Sequence, residues 1–171
     1  MTQTAWVVMG VSGCGKSEVG MRLAEALGVR FIEGDRFHPA GNVARMSAGI
    51  ALRDADRVGW LEALRAETER VWEEGTPVVL ACSALKRRYR DILRGRSGDV
   101  RFVHLHGDRD LIAQRMAART GHFMPLSLLD SQLRDFEPLQ PDEVGVTLDL
   151  RDPPPELVAR ALAALPPPQS S

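Results

Sequence analysis

The chain has few of the features that mark specialised classes of protein. It contains only two cysteines among 171 residues, Cys14 and Cys82, too few for a disulfide framework, and this favours a reducing compartment. Neither sign of charge dominates, since 22 Lys and Arg are balanced by 23 Asp and Glu. Such a balance argues against a nucleic-acid or membrane-surface partner. No apolar run approaches the ~20 residues of a membrane-spanning helix.

The remaining composition is that of an ordinary soluble domain. Apolar residues make up 44% of the chain and charged residues 26%, and the length suits a single core. The opening residues, Met1–Thr4, lack the basic segment of a signal peptide. We therefore expect a cytoplasmic protein in which residues 1–165 form one domain. The proline-rich residues 166–171 are expected to be a disordered tail.

Short apolar runs alternate with amphipathic segments along the chain. The former predict buried strands and the latter predict helices. The predicted strands are Ala5–Met9, Arg30–Glu33, Val78–Cys82, Val100–Leu105 and Val144–Leu150. The predicted helices are Lys16–Leu27, Arg57–Glu74, Lys86–Leu93, Asp108–Arg119 and a last helix capped by Asp152. This alternation indicates an α/β fold with a central parallel sheet flanked by helices on both faces.

The segment after the first strand carries the strongest chemical signal. Residues 10–17 read GVSGCGKS and match the pattern G-x-x-x-x-G-K-[ST] between a predicted strand and a predicted helix. Glycines in such a loop turn backbone N–H groups toward a phosphate chain, and the helix N-terminus adds its unpaired amides. We expect ATP here, with Lys16 as a catalytic charge at its phosphates and Ser17 as a ligand of Mg²⁺. The nucleotide-binding residues predicted from this loop are Gly10, Ser12, Gly13, Cys14, Gly15, Lys16 and Ser17.

A phosphate-binding loop is compatible with a GTPase switch, an ATPase motor or a small-molecule kinase. The chain has no N-K-x-D tetrapeptide of the kind that reads guanine, and the strand at Val78 ends in Cys82-Ser83-Ala84 rather than in acidic residues. Both observations favour a kinase, whose acceptor hydroxyl needs an orienting carboxylate or base. A shikimate-like kinase and a non-catalytic nucleotide-binding module remain as alternatives.

Acidic residues follow the second predicted strand, at the edge of the sheet where ligands bind in such folds. Asp35 is the candidate base for the acceptor hydroxyl, and Glu33 is a candidate ligand of Mg²⁺ through water. Asp54 and Asp56, further along, are equally compatible with capping the helix that follows them.

Basic residues form two further clusters. The run Lys86–Arg90 follows the third predicted strand, where its position favours an anionic ligand. Arg115 and Arg119 lie one helical turn apart before a glycine-containing loop. Arginines on a closing lid can neutralise a transferring phosphoryl group and exclude water. We therefore predict a lid at about residues 119–127.

Together these clusters resemble the thermoresistant-type gluconokinases, small P-loop kinases related to shikimate and adenylate kinases. The resemblance runs in order from the first strand to about Asp149. Its most specific parts are Gly34-Asp35 with His38-Pro39 and the segment Cys82–Lys86. It implies a three-layer P-loop kinase fold with a mobile lid, and a homodimer. The implied reaction is ATP-dependent phosphorylation of D-gluconate at its 6-hydroxyl, which gives 6-phosphogluconate and ADP.

The resemblance also implies roles for individual residues. Asp35 is expected to hold the acceptor hydroxyl, and Arg119 to act as a catalytic charge at the transferring phosphate. Arg115 is expected at the nucleotide phosphates and Asp152 near the adenine. Glu33 stands where the family often has Asp, which moves the carboxylate by one methylene. The residues expected to bind the substrate are Asp35, His38, Arg57, Lys86, Arg90 and His122.

Overall fold

Parallel strands form the centre of the molecule in the computed structural model, which describes residues 3–95, 98–118 and 126–168. The strands are β1 (Thr4–Met9), β2 (Arg30–Glu33), β3 (Val78–Ala81), β4 (Asp99–His106) and β5 (Gly145–Asp149). Their order in the sheet is β2-β3-β1-β4-β5, and each strand is parallel to its neighbours. The central strand β1 is buried along its whole length and ends directly before the phosphate-binding loop.

Helices connect these strands. They are α1 (Lys16–Leu27), α2 (Ala40–Ser47), α3 (Asp54–Glu73), α4 (Arg87–Arg94), α5 (Arg109–Ala118), α6 (Leu126–Asp135) and α7 (Pro154–Ala164), with a 3₁₀ turn at Gly34–Phe37. The predicted three-layer α/β class is confirmed, and the predicted elements begin and end within three residues of the observed ones. Within the described ranges, no helix is both long and apolar enough to cross a membrane.

Two apolar clusters cover the two faces of the sheet. Because side chains alternate along a strand, Trp6 and Val8 of β1 pack with α1, α5 and α7. Val7 and Met9, on the opposite face, pack with α3 and α4. The indole N–H of Trp6 donates to the carbonyl of Leu165 at 3.0 Å, which fastens the end of α7 to the sheet. Packed apolar side chains therefore support the sheet on both faces.

Three elements lie where the sequence predicted none: α2, α6 and the 3₁₀ turn. The helices α2 and α6 have only eight and ten residues, and helices of that length depend on packing of their apolar faces for stability. The predicted cap at Asp152 is wrong, because Pro153 takes the N-cap position and no side chain caps α7. Proline in the first turn starts that helix through its fixed φ. Most of the predicted lid, and residues 169–171 of the predicted tail, lie outside the described residues.

Two glycines in helices have opposite surroundings, and this generates a stability prediction. A Cβ at Gly20 in α1 would lie 2.6 Å from Cε1 of Phe31, whereas a Cβ at Gly59 in α3 would meet nothing within 4 Å. Gly20→Ala is expected to lower the free energy of unfolding by about 1–3 kcal/mol through overpacking. Gly59→Ala, the matched control, is expected to raise it by about 0.5–1 kcal/mol through helix propensity. Urea unfolding measures both, and a stabilised Gly20→Ala variant would contradict the packing described for α1.

Candidate active site

The phosphate-binding loop lies between β1 and α1, and its shape depends on glycine. Gly10 has a φ of +148° and Gly13 a φ of +82°, conformations that L-residues rarely adopt. A Cβ at Gly13 would also lie 2.5 Å from Cγ of Met116 in α5. The loop therefore packs directly against the helix that carries Arg115.

The groups that would meet a phosphate chain gather at the start of α1. Gly15 is the N-cap of α1 and supplies no side chain to its first N–H groups, an arrangement suited to binding an anion. The ammonium of Lys16 donates to the carbonyl of Val11 at 3.2 Å, so it lies over the loop. Burial raises the pKa of the Cys14 thiol, which keeps this side chain protonated and suits a packed small residue.

Ser17 and Glu33 meet beside the loop, one from α1 and one from the end of β2. The hydroxyl of Ser17 donates to Oε2 of Glu33, and Oε1 of Glu33 lies 3.5 Å from the backbone N–H of Asp35. Oxygen ligands of this kind fit Mg²⁺, which keeps several waters and takes further ligands from phosphates. In the described part of the chain, no group of three or more His, Cys, Asp or Glu gathers around a metal position.

A cleft at the carboxyl ends of β1, β2 and β3 joins the phosphate-binding loop to the predicted acceptor residues. It brings together Lys16, Asp35, His38 and Arg57, which were predicted as site residues from different segments of the sequence. The cleft is partly open to solvent and encloses a non-atom space of about 410 Å³. The other lining residues are Ser12, Met46, Leu52, Trp60, Ser83, Leu85 and Gln132.

His38 is a neutral hydrogen-bonding group in this cleft. Its ring stacks on Trp60 with centroids 3.9 Å apart, and its Nδ1 lies 3.3 Å from the amide nitrogen of Asn42. That nitrogen also donates to the carbonyl of Asp56 at 2.8 Å, which fixes the amide orientation. Nδ1 is therefore the acceptor, and the ring proton is assigned to Nε2. Burial lowers the pKa of His38 to about 4, so the ring is uncharged at neutral pH.

Arg57 is the buried cation of the cleft. Only 8% of the residue is exposed, and its Nη1 donates to the hydroxyl of Tyr89 at 2.8 Å and to Asp135 at 3.3 Å. Tyr89 in turn donates to Asp54. These contacts hold the guanidinium from α3, α4 and α6, so that its charge borders the cleft in a fixed position.

Lys86 lies next to this network but does not line the cleft. Its ammonium donates to Oδ1 of Asp54 at 2.9 Å, and Arg88 donates to the other oxygen of the same carboxylate at 2.7 Å. Hydrogen bonds from Tyr89 and Lys86 lower the pKa of Asp54. Asp54 thus holds basic side chains together, whereas Asp56 caps α3 by accepting the backbone N–H of Arg53 at 2.9 Å.

Arg90 requires a correction to the sequence prediction. It is completely buried, and its Nε and Nη2 donate to both oxygens of Glu143 at 2.7 and 3.1 Å. Its Nη1 donates to the carbonyls of Ala84 and Leu85, and its Nη2 also donates to that of Pro138. All five N–H groups are engaged. We therefore assign Arg90 to the framework beneath the cleft rather than to the predicted substrate contact.

Arg115 and Asp152 lie near the loop that follows β5. Arg115 donates to the carbonyl of Leu150 at 3.1 Å, beside the loop that follows β5. The carboxylate of Asp152 lies 3.5 Å from Arg160. Arg119 and His122 lie outside the described residues. A groove of about 460 Å³ opens at the carboxyl ends of β4 and β5, lined by His106, Gly107, Asp108, Thr147, Leu148, Asp149 and Arg151.

Comparison with known proteins decides the family. The AAA-domain family matches residues 6–139 of the chain. A stretch of 146 residues is 45% identical to the thermosensitive gluconokinase of Escherichia coli K12, and it covers 85% of this chain and 78% of that protein. The chain belongs to the AAA-domain family and to the gluconokinases.

Solved structures of similar proteins share the fold of this chain. A gluconokinase from Sinorhizobium meliloti 1021 is 50% identical and superposes with a TM-score of 0.84, covering 95% of this chain and 91% of that one. An unliganded sugar kinase from Janibacter sp. HTCC2649 is 47% identical, with a TM-score of 0.90 over 96% and 95% of the two chains. The predicted family and P-loop kinase fold are therefore confirmed.

Two contacts of this gluconokinase-family cleft were not predicted from the sequence. Trp60 supports His38 by stacking, and its indole N–H donates to the carbonyl of Gly34 at 2.8 Å. Gln132 of α6 accepts the backbone N–H of Ser12 at 2.7 Å and so joins α6 to the phosphate-binding loop. Both residues lie in segments that contribute to the family resemblance, Trp60-Leu61 and Ser131–Leu133, but no role was predicted for either of them.

The lowered pKa of His38 predicts a pH-dependent stability. The folded protein keeps this ring neutral down to about pH 4, whereas the unfolded chain binds its proton near the usual value of 6.5. Stability is therefore expected to fall as the pH decreases from 6.5 to 4. His38→Gln should remove up to about 1.4 kcal/mol per pH unit of that slope.

Urea unfolding at a series of pH values measures this slope. His104→Gln is a parallel test, since burial also lowers the pKa of His104 to about 4. A His38→Gln variant that retains the complete wild-type slope would show that the ring is not held neutral in the cleft.

Proposed function

We propose that the chain transfers the γ-phosphoryl group of ATP to the 6-hydroxyl of D-gluconate, giving 6-phosphogluconate and ADP. One observation carries the proposal: a single cleft is bordered by Lys16 of the phosphate-binding loop, by the carboxylate of Asp35 and by the buried cation of Arg57. These are the three groups needed for a donor phosphate, an acceptor hydroxyl and an anionic substrate. Membership of the gluconokinase family supports gluconate as the acceptor.

The protein is proposed to promote phosphoryl transfer by positioning the reactants and by placing fixed charges around the phosphate, rather than by forming a covalent bond to it. The hydroxyl oxygen of the acceptor forms a bond to the γ-phosphorus while the bond to the β–γ bridging oxygen breaks, and ADP leaves. Asp35 orients the hydroxyl and accepts its proton. Lys16 and the N-terminal amides of α1 stabilise the charge that develops on the phosphate oxygens. Arg119, predicted on the lid, would add a further positive charge at the same group.

Recognition of the acceptor would combine one ion pair with directional hydrogen bonds. The guanidinium of Arg57 suits the carboxylate of gluconate, since its planar fork matches two oxygens. The Nε2–H of His38 would donate to a hydroxyl of the sugar acid, with the ring held by Trp60. Lys86 and His122 remain predicted substrate contacts. Lys86 lies at the edge of the hydrogen-bond network that holds Arg57.

The nucleotide would lie across the loop with its base toward the ends of β4 and β5. The groove of about 460 Å³ there, together with Arg115 and the segment around Asp152, supports an adenine position on that side. Ser17 and Glu33 would hold Mg²⁺, which would offset the negative charge of the phosphates. We further propose a cytoplasmic homodimer, as the resemblance to the family implies.

Acceptor-dependent ADP release tests the proposed reaction. Purified protein with Mg-ATP is given D-gluconate, shikimate, AMP or no acceptor, and the rate of ADP formation is measured. The account expects release with gluconate far above the rate without acceptor. Turnover with shikimate or AMP instead would retain the fold but overturn the acceptor assignment of Asp35 and Arg57.

Asp35→Asn tests the role of the carboxylate. The substitution keeps the size of the side chain but removes its charge and basicity, so kcat is expected to fall by about 10²-fold or more. The affinity for ATP should not change, because Asp35 faces the acceptor. Asp110→Asn is the matched control, since Asp110 is an exposed carboxylate on α5. Loss of ATP affinity in Asp35→Asn would place this residue at the nucleotide and contradict the assignment.

A further inference from the structure

The turn between β3 and α4 forms one wall of the acceptor cleft. Ser83 and Leu85 both line the cleft, and Ala84 between them points into the core below α4. Ala84 has a φ of +45°, and it is the one residue other than glycine with a positive φ in the described part of the chain. This conformation costs an L-residue about 1–2 kcal/mol and persists only where surrounding contacts impose it. Contacts from outside the turn must therefore stabilise this conformation of Ala84.

Arg90 supplies the contacts that hold this turn. From the first half of α4, its Nη1 donates to the carbonyl of Ala84 at 3.0 Å and to that of Leu85 at 3.2 Å. Neither contact leaves room for water, because the guanidinium is completely buried. The strained residue and its neighbour are thus fixed by one side chain.

The other side of the guanidinium is anchored to the segment between α6 and β5. Glu143 accepts from Nε and Nη2 of Arg90, and it also accepts the backbone N–H of Gln140 at 3.0 Å. The same segment reaches the turn directly, since the backbone N–H of Glu137 donates to the carbonyl of Leu85 at 2.7 Å. Arg90 therefore bridges the two segments from beneath, while Arg87 joins them at the surface through Gln140 and Asp142.

The burial of this ion pair gives a reason to assign it a role beyond stability. Removing two charges from water costs much of what their attraction returns, so buried ion pairs contribute little compared with apolar residues of the same size. A pair whose remaining donors fix a strained turn at the cleft is better explained by the geometry that it imposes.

We propose that Arg90 and Glu143 form a clamp that holds Ala84 in its left-handed conformation and thereby positions Ser83 and Leu85 in the acceptor cleft. Arg90 is a positioning residue, since it touches the turn and not the substrate. The proposal rests on the proposed function in one respect, namely that the cleft wall contacts gluconate. Loss of the clamp is expected to disturb the acceptor side more than the nucleotide side, because the clamp contacts the turn, whereas the ATP phosphates are proposed at the loop and the start of α1.

The combined variant Arg90→Met with Glu143→Gln tests the clamp without leaving a buried charge unpaired. Methionine replaces the aliphatic stem, and the glutamine oxygen can still accept the N–H of Gln140. The KM for gluconate is expected to rise roughly 10-fold or more, whereas the KM for ATP should stay at the wild-type value. An unchanged KM for gluconate in the folded variant, or an equal rise in both KM values, would overturn the proposal.

Adding Ala84→Gly to the combined variant distinguishes a positioning role of the clamp from a role in fold stability alone. Glycine adopts a φ of +45° without steric cost, so it should restore part of the affinity for gluconate although the clamp is absent. If the clamp merely stabilised the fold, the glycine would leave the raised KM unchanged, and that result would overturn the role assigned to Ala84.

Hydrogen exchange provides a measurement that does not depend on the substrate. In the combined variant, amides of residues 82–86 should exchange faster than in wild type, while those of α1 should not. Unaltered exchange at residues 82–86 would overturn the clamp, whereas absence of gluconate turnover in the wild type would overturn only the proposed function. If the combined variant fails to fold, Arg90→Lys is measured in the same way. Lysine keeps a cation opposite Glu143 but lacks the planar guanidinium that donates to Glu143 and to the carbonyls of the turn at the same time.

Discussion

Parallel pairing of β1 with β3 is the constraint on which the active site depends. The paired residues run from Ala5 with Val78 to Val8 with Ala81, and the contacts continue beyond the strands. The N–H of Cys82 donates to the carbonyl of Val8 at 3.1 Å, and that of Gly10 donates to the carbonyl of Ser83 at 3.3 Å. The phosphate-binding loop and the acceptor turn are therefore joined where they begin. Because β2 is also parallel to β3, the carboxylates that follow it reach the same edge.

Two buried arginines show how one residue type takes different roles in this framework. Partners from α4 and α6 hold Arg57 by its Nη1, and the side chain borders the cleft. Arg90 instead has every N–H engaged by protein atoms. In the proposed function the first would meet the anionic substrate, while in the proposed clamp the second shapes the wall of the cleft. The number and direction of hydrogen-bond partners distinguish these roles, since burial alone does not.

Features encoded locally could be predicted from the sequence, and features set by distant contacts could not. The loop around Lys16 and Ser17 follows from an eight-residue pattern between a strand and a helix, because glycine conformations and helix amides are local properties. The role of Arg90 depends on Glu143, 53 residues away, which no spacing rule connects to it. Likewise, α6 brings Gln132 to Ser12 across 120 residues. Long-range packing selects these contacts, so they become visible only in the folded chain.

The central claim is that the cleft holds the carboxylate of gluconate at Arg57 and presents its far end to the nucleotide at Lys16 and Asp35. Proton-coupled ³¹P NMR of the product formed from ATP and D-gluconate tests this orientation most directly. Phosphorylation of the terminal CH₂OH group gives a phosphorus signal split by two protons, and the account predicts that pattern. A signal split by one proton would show transfer to an inner hydroxyl, and would contradict the orientation assigned to the substrate.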